Sequence, residues 1–358
     1  MSRRTLLRPT AFVDAPFGYD GRVARLAGGL NWFSAVELIH VEGNRRTGTE
    51  LVAIADLEAR LDDRTAAEWK ALTAPRPALQ LGERTIRLDQ PQVMGIINVT
   101  PDSFSNNGEH ADPAAAAAAG SEMAAAGAAI IDVGGESTRP GARSIWEGDE
   151  IARVEPVIRQ LAGTGTAVSV DTRKADVMTA AVAAGARMIN DVSALTYDRR
   201  SPEVAAAAGV PVVLMHHQGD PEVMQDNPRY DDVLVEVYLW LEQRIAAAIE
   251  AGIDRSHILV DVGFGFGKNV AHNLELMNGL ALFHGLGCPL VLGASRKRTI
   301  GALSGEARAD QRLGGSIALA IKAAEQGVHI LRVHDVPETV QALKIWRGQR
   351  DQALSPKF

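Results

Sequence analysis

From Gln92 to the C-terminus the chain repeats one pattern. A short apolar run is followed by a polar or glycine-rich turn and then an alanine-rich stretch with helical spacing. The apolar runs are VMGIIN ending at Asn98, AIIDVGG after Ala129, AVSVD ending at Asp171 and RMIND ending at Asp191. They continue with PVVLMHH ending at His217, ILVDVG around Asp261, PLVLGAS ending at Ser295 and HILRVHD ending at Asp335. Such short continuous apolar runs read as buried parallel strands. Helices are expected between them at Ala114–Ala126, Asp149–Leu161, Lys174–Ala184, Pro202–Ala208, Asp231–Ala251, Ala271–His284 and Asp310–Gln326. A last one runs from Pro337 to Arg347, with Pro337 suited to a first turn. Strands that alternate with helices form parallel sheets, because each crossover packs on the sheet. Eight units in about 260 residues match a closed (β/α)8, or TIM, barrel. An open doubly wound sheet competes, but it needs polar strand ends only at its switch point, whereas here nearly every strand ends in a polar group.

The expected architecture is therefore α/β. A (β/α)8 barrel spans residues 78–358, and a small α/β extension of unknown role spans 1–77. The barrel opens with a hairpin at about 78–90, where ALQLG and ERTIRLDQ turn at Gly82-Glu83, placed to plug the barrel's N-terminal mouth. Ala71 to Pro77 carries two prolines and reads as a linker. Before it, ELIHVEG and TELVAIADLEARL suggest the α/β appendage, which contains no motif with arguable chemistry. A stabilising extension is the plainer reading, a docking or oligomerisation surface the sharper one.

Composition bounds the function. Of 358 residues, 46% are hydrophobic and 23% charged, as in globular proteins, so a large core is possible. A net charge of -7 argues against nucleic-acid binding through a broad basic face, though not against a small cationic pocket. The single cysteine, Cys288, excludes a disulfide framework and a cysteine zinc cluster. The N-terminal residues lack the apolar core of a signal peptide. The most apolar long stretch, Pro113 to Ile131, is broken by Ser121, Glu122 and Gly127, unlike a membrane span. The expectation is a cytoplasmic protein with small-molecule substrates, acting on neither nucleic acid nor membrane.

Barrel active sites lie at the C-terminal ends of the strands. The polar residues there are Asn98, Asp132, Glu136, Thr138, Arg139, Asp171, Asn190, Asp191, His216, His217, Asp261, Lys268, Ser295, Arg296, Lys297, Arg332 and His334. Any one of them has a plain structural explanation; Asp191 alone reads as a cap more readily than a catalyst. Together they would converge on one mouth, where buried carboxylates need partners. Ser295–Arg298 and Arg332–His334 place four cations and a histidine after the last two strands, where this fold often binds phosphate. Asp171, Asn190 and Asp261, from three strands, suit the edge of a flat amino-heterocycle. In the glycine-rich DVGFGFGK, Asp261–Lys268, Phe264 and Phe266 read equally well as ligand walls or as packing. The pair His216-His217 makes a poor zinc site, since strand neighbours point to opposite faces, one into the barrel and one outside.

Eight segments in order then carry a resemblance. They are MGIINVTPDSFS from Met94, GGESTRPGA from Gly134, SVDT from Ser169, INDVSA from Ile189, LMHHQG from Leu214, DVGFGFGK from Asp261, GASRK from Gly293 and RVHDV from Arg332. Over about Leu79 to Trp346 the chain resembles the dihydropteroate synthases of folate biosynthesis. The resemblance implies a transferase that joins 4-aminobenzoate to 6-hydroxymethyl-7,8-dihydropterin diphosphate, releasing diphosphate and 7,8-dihydropteroate. It implies that Asp171, Asn190, Asp261 and Lys297 bind the pterin. Asn98, Arg332, His334 and Thr138 would hold the diphosphate, with Asn98 also at a Mg2+ site. Phe104, Thr138, Arg139, Pro140, Phe266, Ser295 and Arg298 would shape the aminobenzoate pocket. The loops Thr100–Asn107 and Glu136–Arg143 would close over the substrate. Asp171, Lys297, Asn98 and Arg332 are the residues expected to carry catalysis. It also implies a sulfonamide target and a homodimer.

Three positions depart from the family pattern: Val262 where proline is usual, His217 where methionine is frequent, and Arg298 where many members carry serine or threonine. Two other readings stay open. A methyltetrahydrofolate-type pterin methyltransferase shares the heterocycle clamp but needs no diphosphate corner. A catalytically silent pterin-binding paralogue would be free to lose Asn98, Asp171, Asp261, Lys297 and Arg332.

Overall fold

The computed structural model describes residues 3–100, 112–137, 144–219 and 227–355. The chain begins with a small antiparallel sheet. β1 (Arg3–Val13) pairs with β3 (Trp32–Glu42), and β3 pairs on its other side with β4 (Arg45–Ala53) and with the two-residue β2 (Ala24–Arg25). The sequence reading named no strand at β1, where Pro9 interrupts the apolar pattern. Proline is tolerated there since β1 lies at the edge of the sheet, hydrogen-bonded to β3 alone. Helix α1 (Asp63–Thr73) starts at a capping box, in which Asp62 accepts from the Thr65 N–H and the Thr65 hydroxyl accepts from the Asp62 N–H. It buries Leu72 in a core with Leu7, Leu26, Phe33, Val36 and Leu38.

Ala71 to Pro77 is not the free linker that its prolines suggested. Ala71–Thr73 completes α1, and Arg76 is buried, donating to the carbonyls of Ala71 (2.7 Å), Ala74 (2.9 Å) and His284 (2.9 Å). The guanidinium satisfies carbonyls that the helix end leaves open and ties them to the barrel. Asn31 adds a bond to the Ala324 carbonyl (2.7 Å), and Arg4 forks onto Glu242 (2.7 and 3.1 Å).

β5 (Leu79–Leu81) and β6 (Arg84–Ile86) form the expected hairpin, turning through Gly82 at φ +65°. Its Leu79, Leu81 and Ile86, with Leu88, pack on Met94, Ile130, Ala167, Met188, Val213, Leu259, Val291 and Ile330. These come one from, or beside, each of eight further strands, so the hairpin plugs their N-terminal mouth. The eight are β7 (Gln92–Asn98), β8 (Ile130–Gly134), β9 (Val168–Asp171), β10 (Met188–Asp191), β11 (Val212–Met215), β12 (Ile258–Asp261), β13 (Leu290–Leu292) and β14 (Ile330–Val333). All neighbours are parallel, and β14 returns to β7 with Val333 opposite Gly95. The sheet is a closed barrel, with no free edge.

Helices form the outer ring: α2 (Pro113–Ala125), α3 (Glu147–Gly163), α4 (Ala175–Ala184), α5 (Ser201–Ala208), α6 (Val233–Glu250) and α7 (Val270–Gly279), which runs on as the 3₁₀ turn Leu280–Leu286. The short α8 (Arg298–Leu303) was not expected; it directly follows the SRK turn. α9 (Leu313–Glu325) and α10 (Val336–Ala353) complete the ring. Both faces of the sheet are thereby covered, which explains the unbroken Val and Ile runs.

Where α1 meets β1, Glu68 is buried and accepts the Leu7 N–H at 2.7 Å. Burial pushes its carboxyl up to about 7, against the pull of that N–H and Arg4. Glu68 is protonated in both states below about pH 4.5. Its contribution to stability is full there and is lost as the pH climbs through 7. Glu68→Gln keeps the acceptor and removes the titration. In urea unfolding it should lack this decline, and by pH 8 it should exceed the wild type by up to about 3 kcal/mol. Parallel curves from pH 5 to 8 would place the proton elsewhere.

Candidate active site

The C-terminal ends of the barrel strands bring five polar side chains to one place. β8 supplies Asp132, β9 Asp171, β10 Asn190, β12 Asp261 and β14 Arg332. Arg332 donates to Asp132 Oδ2 through Nε (2.6 Å) and to Asp171 Oδ2 through a terminal nitrogen (2.6 Å). Asn190 donates its amide to the same Asp132 oxygen at 3.0 Å. The other oxygens, Asp132 Oδ1 and Asp171 Oδ1, are buried without a hydrogen-bond partner. Buried acceptors left open in this way are expected where a donor-rich ligand docks. Burial raises the Asp171 carboxyl above the usual range; Arg332 pulls it down and Asp132 pushes it up further. Burial works against the Arg332 charge too, but Asp132 and Asp171 outweigh it and hold the guanidinium above its ordinary value.

The glycine-rich loop covers one side. Gly263, Gly265 and Gly267 all have positive φ, and a Cβ at Gly263 would lie 1.7 Å from the His216 carbonyl oxygen, so only glycine fits. The two phenylalanines divide. Phe264 is fully buried, whereas Phe266 is half-buried with its ring centroid 4.3 Å from Lys297 Nζ. Lys297 also donates to the Phe264 carbonyl. Burial lowers its ammonium to about 7, partly offset by Asp261. The Asp261 carboxyl is raised by burial, although Lys297 and the Gly263 N–H (2.7 Å) favour its charge.

Beneath the loop, Lys268 Nζ meets His216 Nδ1 (2.8 Å) and the carbonyls of Gly263 (3.1 Å) and Phe266 (2.9 Å). Burial drives the Lys268 and His216 pKa values well down. The expected split of the two histidines across the sheet does not occur. Both rings lie against Trp240 of α6, with centroids at 4.8 Å for His216 and 5.8 Å for His217. The strand ends at Met215, so the alternation that predicted opposite faces no longer applies.

The corner after β13 and β14 also differs from four facing cations. Arg296 is tied to Asp335 and Arg332 to the two buried aspartates; Lys297 turns to the glycine loop, and Arg298 is exposed at the start of α8. Sequence shows the cations but not the carboxylates that claim them. Ser295 and His334 do meet, with Oγ to Nδ1 at 3.1 Å. Asn98 is half-buried at the end of β7, opposite Gly134. Asp191 is a cap, accepting the N–H groups of Ser193 (2.7 Å) and Leu195 (2.9 Å). Phe104, Thr138, Arg139 and Pro140 lie outside the described residues, as does most of the expected Thr100–Asn107 loop.

Two residues that the sequence named only among its strand ends, Asp132 and Glu136, have roles that it did not show. Asp132 joins Asn190 to Arg332; its alternation with Ile130 and Gly134 was the available signal. Glu136 and Lys174 form a buried ionic network: Lys174 Nζ meets Glu136 (3.1 Å), Glu150 (2.7 Å) and the Ile145 carbonyl (2.7 Å), while Glu136 accepts the Ile145 N–H (2.9 Å). Burial alone would raise the Glu136 carboxyl, but Ile145, Arg173 and Lys174 hold it low.

This geometry has close counterparts. The sequence profile of the pterin binding enzymes matches residues 94–334. Dihydropteroate synthase of Escherichia coli K12 is 47% identical over 262 residues, 73% of this chain and 92% of that protein. That of Neisseria meningitidis serogroup B is 46% identical over 278 residues, 76% of this chain and 98% of its own. Among solved structures, Xanthomonas albilineans dihydropteroate synthase with 4-aminobenzoic acid is 49% identical, covering 78% of this chain and 100% of that one, at TM-score 0.73. The chain belongs to the dihydropteroate synthase family. Every residue placed above at a barrel strand end, Asn98 to His334, lies inside the family match, whereas the sheet Arg3–Ala53 precedes it. The bridged carboxylates are thus part of the dihydropteroate synthase barrel, and the extension is an addition to it.

Removing Arg332 tests the bridge. Arg332→Met should leave Asp132 and Asp171 buried without their cation and cost roughly 3–5 kcal/mol in denaturant unfolding. Adding Asp132→Asn should recover part of that loss. A single variant as stable as the wild type would show that Arg332 does not hold the carboxylates together.

Proposed function

We propose that the chain joins 4-aminobenzoate to 6-hydroxymethyl-7,8-dihydropterin diphosphate in folate biosynthesis, as a dihydropteroate synthase. The observation that carries this reading is the open, buried pair Asp132 Oδ1 and Asp171 Oδ1 beside Asn190. They are acceptors for an amino-heterocycle, in a chain 47% identical to a dihydropteroate synthase along 92% of its length. A Xanthomonas albilineans relative, 45% identical over 78% of this chain, was solved in complex with 7,8-dihydropteroate.

In this reading Asp171, Asn190, Asp261 and Lys297 grip the pterin. Asn190 gives one amide hydrogen to Asp132, and in this reading its carbonyl accepts from the pterin. Arg332, His334, Asn98 and Thr138 take the diphosphate. The arylamine nitrogen attacks the pterin methylene, the C–O bond breaks, and diphosphate leaves with the bonding electrons; the amine's extra proton is lost afterwards. No strong base is needed, so positioning and charge stabilisation supply the acceleration. Phe104, Thr138, Arg139, Pro140, Phe266, Ser295 and Arg298 form the aminobenzoate side.

Among the described residues no three His, Cys, Asp or Glu side chains gather as a metal site. A lone half-buried Asn98 fits a magnesium ion that arrives on the diphosphate, since Mg2+ keeps waters and substrate phosphates among its ligands. Bound there, Mg2+ would neutralise charge on the leaving group. Among the described residues no helix is long and apolar enough to cross a membrane. A homodimer in the cytoplasm completes the proposal by family analogy. The methyltransferase reading has less support, because the close relatives are synthases.

Purified protein given pterin diphosphate, 4-aminobenzoate and Mg2+ should release diphosphate and form 7,8-dihydropteroate. Release that does not depend on 4-aminobenzoate, or none at all, would sink the reading. Arg298 is exposed at the start of α8, and in this reading it pairs with the 4-aminobenzoate carboxylate. Arg298→Ser should therefore change the 4-aminobenzoate KM more than the pterin diphosphate KM; equal changes would remove Arg298 from that pocket.

A further inference from the structure

The three glycines of the loop leave its backbone free to take many shapes, and hydrogen bonds from its surroundings fix one of them. Asp261 Oδ1 accepts the Gly263 N–H (2.7 Å), Asn273 Oδ1 accepts the Gly265 N–H (2.7 Å), and Lys268 holds two carbonyls. These groups belong to the loop's own strand, turn and helix. A fourth brace does not. Tyr230 donates its hydroxyl to the Gly267 carbonyl at 2.9 Å, from the segment that leads into α6.

Two residues on, Asp232 is the N-cap of α6, accepting the Val235 N–H at 3.0 Å. Its other carboxylate oxygen takes Nε of Arg46, 2.7 Å away, from β4 of the appended sheet. Arg46 lies 3.8 Å from Glu37 on β3, which in turn pairs with Arg8 on β1 at 2.5 Å. The cation is thus rooted in the sheet, and polar contacts, joined by the short stretch of backbone from Tyr230 to Asp232, run from there to the loop under Lys297.

We propose that Arg46 is a positioning residue for the pterin pocket. By fixing Asp232, it sets where Tyr230 holds the Gly267 carbonyl. The loop then presents the Phe264 carbonyl and the Phe266 ring to Lys297. The inference rests on the synthase reading above and adds to it a contribution from outside the family match. A series of contacts is not yet a coupling, so the measurement has to be of coupling itself.

The full-length protein carries the test. Arg46→Met and Asp232→Asn each break the ion pair, and asparagine still serves as N-cap. Tyr230→Phe removes the hydroxyl, and Arg60→Met, which breaks only the Arg60–Glu50 pair elsewhere in the extension, is the control. The readouts are pterin diphosphate Kd by calorimetry, 4-aminobenzoate KM, and Tm. Arg46→Met, Asp232→Asn and Tyr230→Phe should each weaken pterin diphosphate binding roughly three- to tenfold. The 4-aminobenzoate KM should change less, Arg60→Met should match the wild type, and Arg46→Lys should recover part of the affinity. Arg46→Met combined with Tyr230→Phe should lose less than the product of the single losses. Unchanged pterin affinity in Arg46→Met and Asp232→Asn, an equal loss in Arg60→Met, or multiplicative losses in the double variant would each overturn the proposal. Wild-type protein that makes no 7,8-dihydropteroate would instead overturn the synthase reading.

Discussion

The guanidinium of Arg332 is the constraint on which the barrel mouth depends. It crosses from the last strand to the second and third, neutralising two aspartates that cannot both be buried and charged without it. Because β14 also pairs with β7, the same strand end closes the barrel and its electrostatics. Asn190 is oriented by the same Asp132 oxygen. One cation thus holds Asp132 and Asp171, and through Asp132 also Asn190, and it leaves Asp132 Oδ1 and Asp171 Oδ1 buried and open.

The glycine loop solves the opposite problem. It brings its backbone close to neighbouring groups, so it gives up side chains at three positions and takes its shape from partners. Lys268 is the central one. A buried ammonium is unfavourable, and its lowered pKa records that cost; two carbonyls and a neutral His216 nitrogen offset it. Lys297 then reaches over Phe266 beside Asp261, where burial lowers its pKa to about 7.

What was legible in the sequence follows from the same physics. Strands buried on both faces must be continuously apolar, so all eight barrel strands could be read, and the polar residues at or just after their ends marked the barrel mouth. Pairing was not legible, because it depends on which strand ends become neighbours across the closed ring. Arg296, Arg298, Lys297 and Arg332 looked alike as cations, yet Asp335 takes the first, solvent surrounds the second and the glycine loop holds the third. His216 and His217 misled for a local reason: the strand stopped one residue before them. In the extension, prolines misled once: Pro75 and Pro77, read as marking a linker, flank a buried arginine.

That arginine shows why the extension is more than an appendage. Arg76 and Asn31 attach it near the plugged, N-terminal mouth through the carbonyls of His284 and Ala324. Arg46 attaches it at the N-terminus of α6, on the side of the barrel where the strand-end residues lie. A domain held at one end only could shift relative to the barrel without consequence for the pocket. Held at both, it lies as an outer splint along α6, and its contact at Asp232 is the route by which movement of the sheet would reach the loop. The splint costs little, since the ionic contacts are partly exposed and each is worth about 1 kcal/mol or less. Its effect comes from where it is attached rather than from how strongly it binds.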